Sequence, residues 1–371
     1  MTRIGALLAG ILIPALMVWP SAQAQEVDYS FLPALPVGTP ATAPLTSIAR
    51  CDSRLLAVGE RGLVIWSDDG GEKWQQSPVS VSQGLTSVFC LPGGQAWATG
   101  HGGVILSSAD HGSSWELVFD GHAANQQWLA FTERRVQELE AELNGAEDVD
   151  YAVEDATYAV EDAQAAVEVG PADPLLDIHF SDADQGVAVG AYGMLYRSSD
   201  GGGTWQLAAD HIENPERFHY YAITPGRSGS LFLSGEAGLL FRSRDGGKNW
   251  DTLDSGYDGS LFGLLALSDG GVLAFGLRGN VLRSDDDGDS WQTLSVADSS
   301  GLSLYSGVQL DSGLVVLVGS AGAVVRGTGT TFNASLLAPR RSTMSSLTRL
   351  AGELVIAAGM DGVVRLQGGR P

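Results

Sequence analysis

Gly100-His-Gly-Gly-Val-Ile-Leu-Ser-Ser-Ala-Asp-His-Gly-Ser-Ser-Trp115 joins two patterns, a G-x-x-G tetrad and an S-x-D-x-G-x-x-W run. The tetrad occurs seven times, at Gly59–Gly62, Gly100–Gly103, Gly190–Gly193, Gly235–Gly238, Gly276–Gly279, Gly319–Gly322 and Gly359–Gly362. Its first glycines lie 41, 90, 45, 41, 43 and 40 residues apart. The interval of 90 spans two periods, one repeat plus an insertion. A fixed period of this kind settles the architecture before any residue chemistry is considered.

Working outward from the quoted stretch, the second unit contains four short strands. Leu85-Thr-Ser-Val-Phe is an apolar run, Pro92-Gly-Gly a turn, and Gln95-Ala-Trp-Ala-Thr a second run. Val104-Ile-Leu-Ser follows the tetrad, and Trp115-Glu-Leu-Val closes the unit. Glycines mark the turns, and β-branched and aromatic residues fill the runs. A four-stranded unit of this length is the signature of a propeller blade, and such units bury their faces by stacking. The spacing predicts an all-β, seven-bladed propeller, with blades 1 and 2 in residues 45–120 and blades 3 to 7 in 175–371. The last unit has only three strands, Ser346–Leu350, Leu354–Ala358 and Val363–Leu366. The segment Val27–Leu32 is therefore expected to supply the fourth strand and close the ring, removing open sheet edges.

The first 24 residues read as a signal peptide. Arg3 precedes an apolar stretch from Ile4 to Val18, and Ala22-Gln-Ala24 is a small-x-small cleavage site. Cleavage after Ala24 predicts an exported, periplasmic protein with no membrane insertion afterwards, and a monomer is the expected state. The net charge of -23 argues against nucleic-acid binding, which needs a cationic face. The only two cysteines, Cys51 and Cys90, fall on the first strands of neighbouring repeats, one register position apart. They sit on opposite faces of their own blades and can confront each other across a blade contact. A disulfide, permitted in an oxidising compartment, and two buried thiols are both open readings.

Five copies of the second pattern are intact: Ser67/Asp69/Gly71/Trp74, Ser108/Asp110/Gly112/Trp115, Ser198/Asp200/Gly202/Trp205, Ser243/Asp245/Gly247/Trp250 and Ser284/Asp286/Gly288/Trp291. The aspartate is expected to accept hydrogen bonds from backbone N–H groups of its own turn. The glycine takes a conformation closed to other residues, and the tryptophan anchors neighbouring blades. These copies resemble the Asp-box of sialidase-type (BNR) repeats. The fuller pattern G-x-x-G-x-φ-x-R-S-x-D-G-G-x-x-W is nearly complete in Gly190–Trp205 and Gly235–Trp250. It is most similar to the photosystem II stability/assembly factor family. That resemblance covers all seven repeats. It implies a non-catalytic propeller that binds protein partners and serves assembly of a membrane complex, photosystem II in a phototroph.

Immediately before the box serine stand Arg197, Arg242 and Arg283, with Arg326 and Arg365 at the matching place in the degenerate repeats and Trp66 and Ser107 in the first two. Equivalent positions in a ring lie at equal height and radius. The column is therefore an arc of positive charge or, alternatively, a set of local pairs with acidic neighbours. The resemblance implies that an arc would receive an acidic segment of a client through bidentate contacts.

Residues 121–174 are helical in character. Leu129, Val136, Leu139 and Leu143 follow helical spacing, and Asn144-Gly145 is a turn. A seven-residue echo then places Val153, Val160 and Val167 at one heptad position and Val149, Ala156 and Ala163 at another. The pattern predicts an antiparallel helical hairpin. It carries 13 acidic and two basic residues. A solvated ornament and a docking arm for a partner are both open.

The Asp-box resemblance also raises a sialidase-like glycoside hydrolase. Such an enzyme needs paired carboxylates and, for sialic acid, three convergent arginines. The F/Y-R-I-P signature is missing, and Arg50, Arg54 and Arg61 stand in no such context. There is no G-x-S-x-G, P-loop or H-x-x-H, so neither catalytic residues nor a cofactor or metal is expected. The expected function is an exported scaffold that binds protein, in a non-phototroph for another envelope complex such as a transporter. A carbohydrate-binding propeller or sialidase is the alternative.

Overall fold

The structure is a computed structural model describing residues 32–367 apart from 143–149, 172, 299–300, 338–340 and 351. Seven antiparallel sheets follow one another along the chain, each meandering outward from its first strand. The blades span 45–76, 85–119, 175–207, 220–252, 261–294, 304–336 and 344–367. This is the seven-bladed all-β propeller that the repeats predict, with two helices inserted between the second and third blades.

The second strand of every blade is apolar and nearly all buried, as in Ala96–Gly100, Val272–Gly276 and Val315–Gly319. Such a strand is covered on both faces, so it reads as a continuous hydrophobic run. The core lies between blades: the buried side chains group into clusters that each bridge two neighbouring blades, around the whole ring. Leu45, Ile48 and Ile65 of the first blade pack with Ile356 and Ala358 of the last. Ring closure therefore rests on the same apolar packing as every other seam.

Two blades depart from four strands. The sixth gains a short parallel strand, Val296–Ala297, beside Thr331–Leu336. The seventh has three strands among the described residues. The signal-peptide segment 1–24 and residues 27–31 of the expected closing strand lie outside the described residues, and Leu32 is exposed and in no strand. Further along, Ala34 donates its N–H to Val79 O (3.0 Å) and Val37 donates to Gln76 Oε1 (2.8 Å), so this segment follows the outer edge of blade 1. The turn Pro40–Thr42 then abuts the last strand at Gly362.

Cys51 and Cys90 form a disulfide between the first two blades, with Cα atoms 5.3 Å apart. Helices α1 (Gly121–Glu142) and α2 (Asp150–Val169) form the hairpin. Ala163 is buried against α1, Val160 and Val167 are half-buried, and Asn125 donates to Ala166 O at 2.7 Å. The expected turn at Asn144-Gly145 lies outside the described residues, as do Leu143 and Val149. No helix among the described residues is long and apolar enough to cross a membrane.

Candidate functional site

Strand register separates the molecule into two faces. In blade 1, Leu45 pairs with Gly59 at one end, while Leu55 pairs with Ser67 at the other. The same register in every blade collects the tetrads on one face and the Asp-boxes on the opposite one.

On the box face the serine and aspartate lock their own turn. In the third blade, Ser198 Oγ donates to Asp200 Oδ1 (2.8 Å) and accepts from Gly202 N (2.8 Å). Thr204 donates its N–H to Asp200 Oδ1 (2.9 Å) and its hydroxyl to Oδ2 (2.7 Å). The other four boxes repeat the serine–aspartate bond, from Ser67 to Asp69, Ser108 to Asp110, Ser243 to Asp245 and Ser284 to Asp286. Acceptance of these bonds stabilises the charged form. The backbone N–H of Lys73 and the Ser67 hydroxyl hold the Asp69 carboxyl below its usual range. At Asp245, partial burial works upward, but bonds from Asn249, Ser243 and Lys248 outweigh it and hold the carboxyl at about 2. The tryptophans close the turn: Trp74, Trp115, Trp205 and Trp291 donate Nε1–H to the carbonyls of Gly71, Gly112, Gly202 and Gly288. Trp250 departs from this pattern, because its Nε1 is buried without a partner and Gly247 O receives no such bond from it.

The special backbone expected of the box glycines is only half of their role. All five do have positive φ: Gly71 (87°), Gly112 (76°), Gly202 (86°), Gly247 (82°) and Gly288 (89°). Each also seats its box against the blade before it, a contact that the turn alone does not predict. A Cβ on Gly202 would lie 2.6 Å from Trp97 Nε1. The corresponding obstacles are Ile356 for Gly71 across the ring closure, Leu56 for Gly112, Val187 for Gly247 and Phe232 for Gly288. The glycine is thus required twice, by the turn and by the seam.

The arginine column belongs to these same seams. Arg242, buried, donates to Asp287 O and to Asp289 Oδ1 (2.7 Å) in the next box. Arg365 reaches Glu72 and Gly70 O of the first box across the ring closure. Arg283 pairs within its own blade with Asp269 and Asp285, and Arg326 donates to Gln367 O. Arg197 differs, because its side chain makes no hydrogen bond or ion pair among the described residues; its Nε, like that of Arg242, is buried without a partner. Of the two readings open for this column, an exposed arc and a set of local pairs, the contacts of Arg242, Arg283 and Arg365 follow the second. Local pairing takes up most of the guanidinium groups: Arg242 and Arg365 reach the box turn of the next blade, Arg283 its own box, and Arg326 the last strand. Arg54, which the repeat pattern does not single out, serves the first seam instead. It lies 3.9 Å over the Trp66 ring and donates to Asp68 and to Ser113 Oγ of the next box.

The tetrad face carries the cavities. The innermost strands of all seven blades line a central cavity of about 460 Å³. Thirteen residues before the first tetrad glycine in six repeats, and twelve in the first, stand Ser47, Ser87, Asp177, Ala222, Gly263, Ser306 and Ser346. Several of them latch the next blade: Ser346 Oγ accepts from Ile48 N, Ser47 Oγ from Val88 N and Ser306 Oγ from Leu347 N. Asp177 does so with a carboxylate. It accepts from Ile223 N at 2.9 Å, from Ser87 Oγ at 2.7 Å and from its neighbour Ile178 N. Burial pushes its carboxyl up to about 6 despite these bonds. One position nearer the rim, Tyr221, Phe262 and Tyr305 stand on three consecutive blades, with centroids 5.1 and 5.5 Å apart. The ring contacts continue outward from Tyr221 to His219 (6.2 Å) and from His219 to Tyr192 (4.7 Å).

Tyr192 brings this track to the hairpin. Gln127 on α1 accepts from Leu207 N and donates to Trp205 O, so its amide extends the outer edge of blade 3. The Arg217 guanidinium lies 4.4 Å over the Trp128 ring. A second cavity of about 510 Å³ opens there between Trp128, Phe131, Tyr192 and Ile212.

Residues 156–258 match the family model of the photosynthesis system II assembly factor YCF48. The chain resembles the photosystem II assembly factor family. The matched stretch contains the two most complete copies of the repeat. Three solved structures share the fold. One, described as YCF48 bound to D1 peptide, is 17% identical with a TM-score of 0.61 over 91% of this chain and 100% of that one. YCF48 from Cyanidioschyzon merolae is 15% identical, TM-score 0.59, over 89% and 96%. The WD40 β-propeller domain of Doa1 is 13% identical, TM-score 0.59, over 91% and 95%. No curated protein matches the sequence.

Proposed function

We propose that this chain is a non-catalytic propeller that binds protein, exported by its N-terminal segment and aiding assembly or function of a membrane complex. The client is photosystem II in a phototroph and another envelope complex, such as a transporter, elsewhere. The observation that carries this reading is the match of residues 156–258 to the assembly-factor family. That stretch includes most of α2 and blades 3 and 4, which meet at the aromatic track. The acidic side chains of the boxes are engaged in turns and seams, which favours a structural role for them over acid–base catalysis. Partner binding, expected at Arg197, Arg242, Arg283, Arg326 and Arg365, moves in this reading to the tetrad face.

Affinity co-purification of the tagged full chain from its native envelope tests the proposal. Recovery of a membrane-complex subunit is expected. Recovery of no protein, together with binding of a glycan array, would replace this reading with a carbohydrate-binding or sialidase-like one.

A further inference from the structure

The central cavity pairs aromatic surface with a carboxylate that no cation offsets. Its lining comprises hydroxyls, backbone, aliphatic side chains such as Leu176, Ile223 and Leu264, the arc Tyr221–Phe262–Tyr305 and Asp177, with no lysine, arginine or histidine among the described residues. The nearest imidazole along the strand, His179, is kept neutral by burial, its pKa pushed down to about 4, and it packs edge-on against Phe89 at 5.0 Å. The latch between blades does not require a charge here. Serine accepts the same kind of N–H from the next blade at Ser47, Ser306 and Ser346. A carboxylate in place of serine incurs desolvation that a hydroxyl avoids.

We propose that the channel mouth on the tetrad face binds the cationic side chain of a lysine or arginine carried on an extended segment of a protein partner. The ammonium or guanidinium sits at Asp177, and its apolar stem lies against the rings of Tyr221, Phe262 and Tyr305. A carboxylate beside aromatic faces is the environment in which a desolvated cation is held most strongly. Three hydrogen bonds fix the carboxylate in place, so little ordering is needed when the cation arrives. The track through His219 to Tyr192 gives the flanking residues of the segment a path toward the hairpin. Charge complementarity fixes the sign of the occupant, since the chain carries a net -23. The inference rests on the protein-binding reading and adds the chemistry of the docked side chain.

NMR titration of the exported chain with a capped Lys-Phe peptide, and with its Nε-acetylated form, tests it. The substitution Asp177→Ser restores the residue of four other blades, so it keeps the latch while removing the charge. Phe262→Ala probes the arc separately and is expected to weaken binding as well. Asp177→Ser is expected to weaken binding about tenfold or more, and acetylation to do the same. Equal binding by the wild type and Asp177→Ser, equal binding of the acetylated peptide, or no binding of the lysine peptide overturns the proposal. Co-purification with Asp177→Ser separates the two readings. A partner recovered equally well by wild type and variant sinks the channel site and leaves the scaffold standing, whereas no partner with either sinks the scaffold.

Discussion

Asp245 and Asp177 are both hydrogen-bonded aspartates, yet their environments drive them in opposite directions. Asp245 is exposed enough for its hydrogen bonds to dominate, and its carboxyl is held at about 2. Its contribution to stability is fully present above the unfolded value near 3.8 and is lost as the pH falls through about 2. Asp245→Ala should cost about 1–3 kcal/mol at neutral pH by stranding turn donors, measured by urea unfolding. Asp177 is raised to about 6, so the fold favours its neutral form. Here stability is lost as the pH rises from about 3.8 through 6. Asp177→Ser should be more stable than the wild type at pH 7 by about 1–3 kcal/mol, with the difference shrinking toward pH 4. An unchanged difference across that range would contradict the assignment. The box residues were legible in the sequence because turn chemistry is local. Asp177 was not, since its partners come from blades 2, 3 and 4. The one sequence signal that could have found it is its position thirteen residues before a tetrad glycine, a place that four other repeats fill with serine.

Tetrads, boxes and hairpin each act at the scale of elements. The first tetrad glycine is needed because the neighbouring strand crosses directly over it: a Cβ on Gly100 would lie 2.6 Å from Gly84 O, where His101 N donates a 2.8 Å bond. Repetition exposed these glycines, although the reason for the first is a close approach rather than a left-handed backbone. The box glycines were legible for their turn and not for their seam, because Ile356, Leu56, Trp97, Val187 and Phe232 each belong to a different blade from the glycine they meet. Gly202→Ala combines φ 86° with a clash against Trp97, and should destabilise the seam between blades 2 and 3 by about 1–3 kcal/mol in thermal or urea unfolding. The seam role of the arginines was only half visible. They share one column in the repeats, but which cation meets which box depends on the neighbouring blade. Arg54, one strand earlier, shows how a seam is filled by a residue outside the pattern. The heptad echo identified the hairpin. Its anchorage through Gln127 stayed hidden, because a glutamine on a helix carries no signal of the strand edge it completes. Gln127→Ala should raise amide exchange in the first turns of α1 while leaving the blades protected.

At the scale of the whole molecule, stability comes from a closed series of equivalent seams. The Cys51–Cys90 disulfide bridges a separation of 39 residues across one of them. Reduction, or Cys51→Ser with Cys90→Ser, should lower unfolding stability by about 2–4 kcal/mol in the chain-entropy picture. Blade number and order were legible because each unit carries its own punctuation. The expected closing strand falls largely outside the described residues; among the described ones, apolar packing between Ile356 and Ile65 holds the ring ends together. In the proposed reading the two faces divide structure from recognition. Box turns and arginines consolidate one face, and the aromatic track, the central and hairpin cavities and the hairpin root occupy the other. Site-specific photocrosslinking in native envelopes tests this division most directly, with the reactive residue placed at Tyr192 or Phe262 on the tetrad face and at Lys73 or Asn249 on the box face. A protein partner captured from the tetrad-face positions alone is the predicted result, and capture from the box face alone, or of no protein at any position, would contradict it.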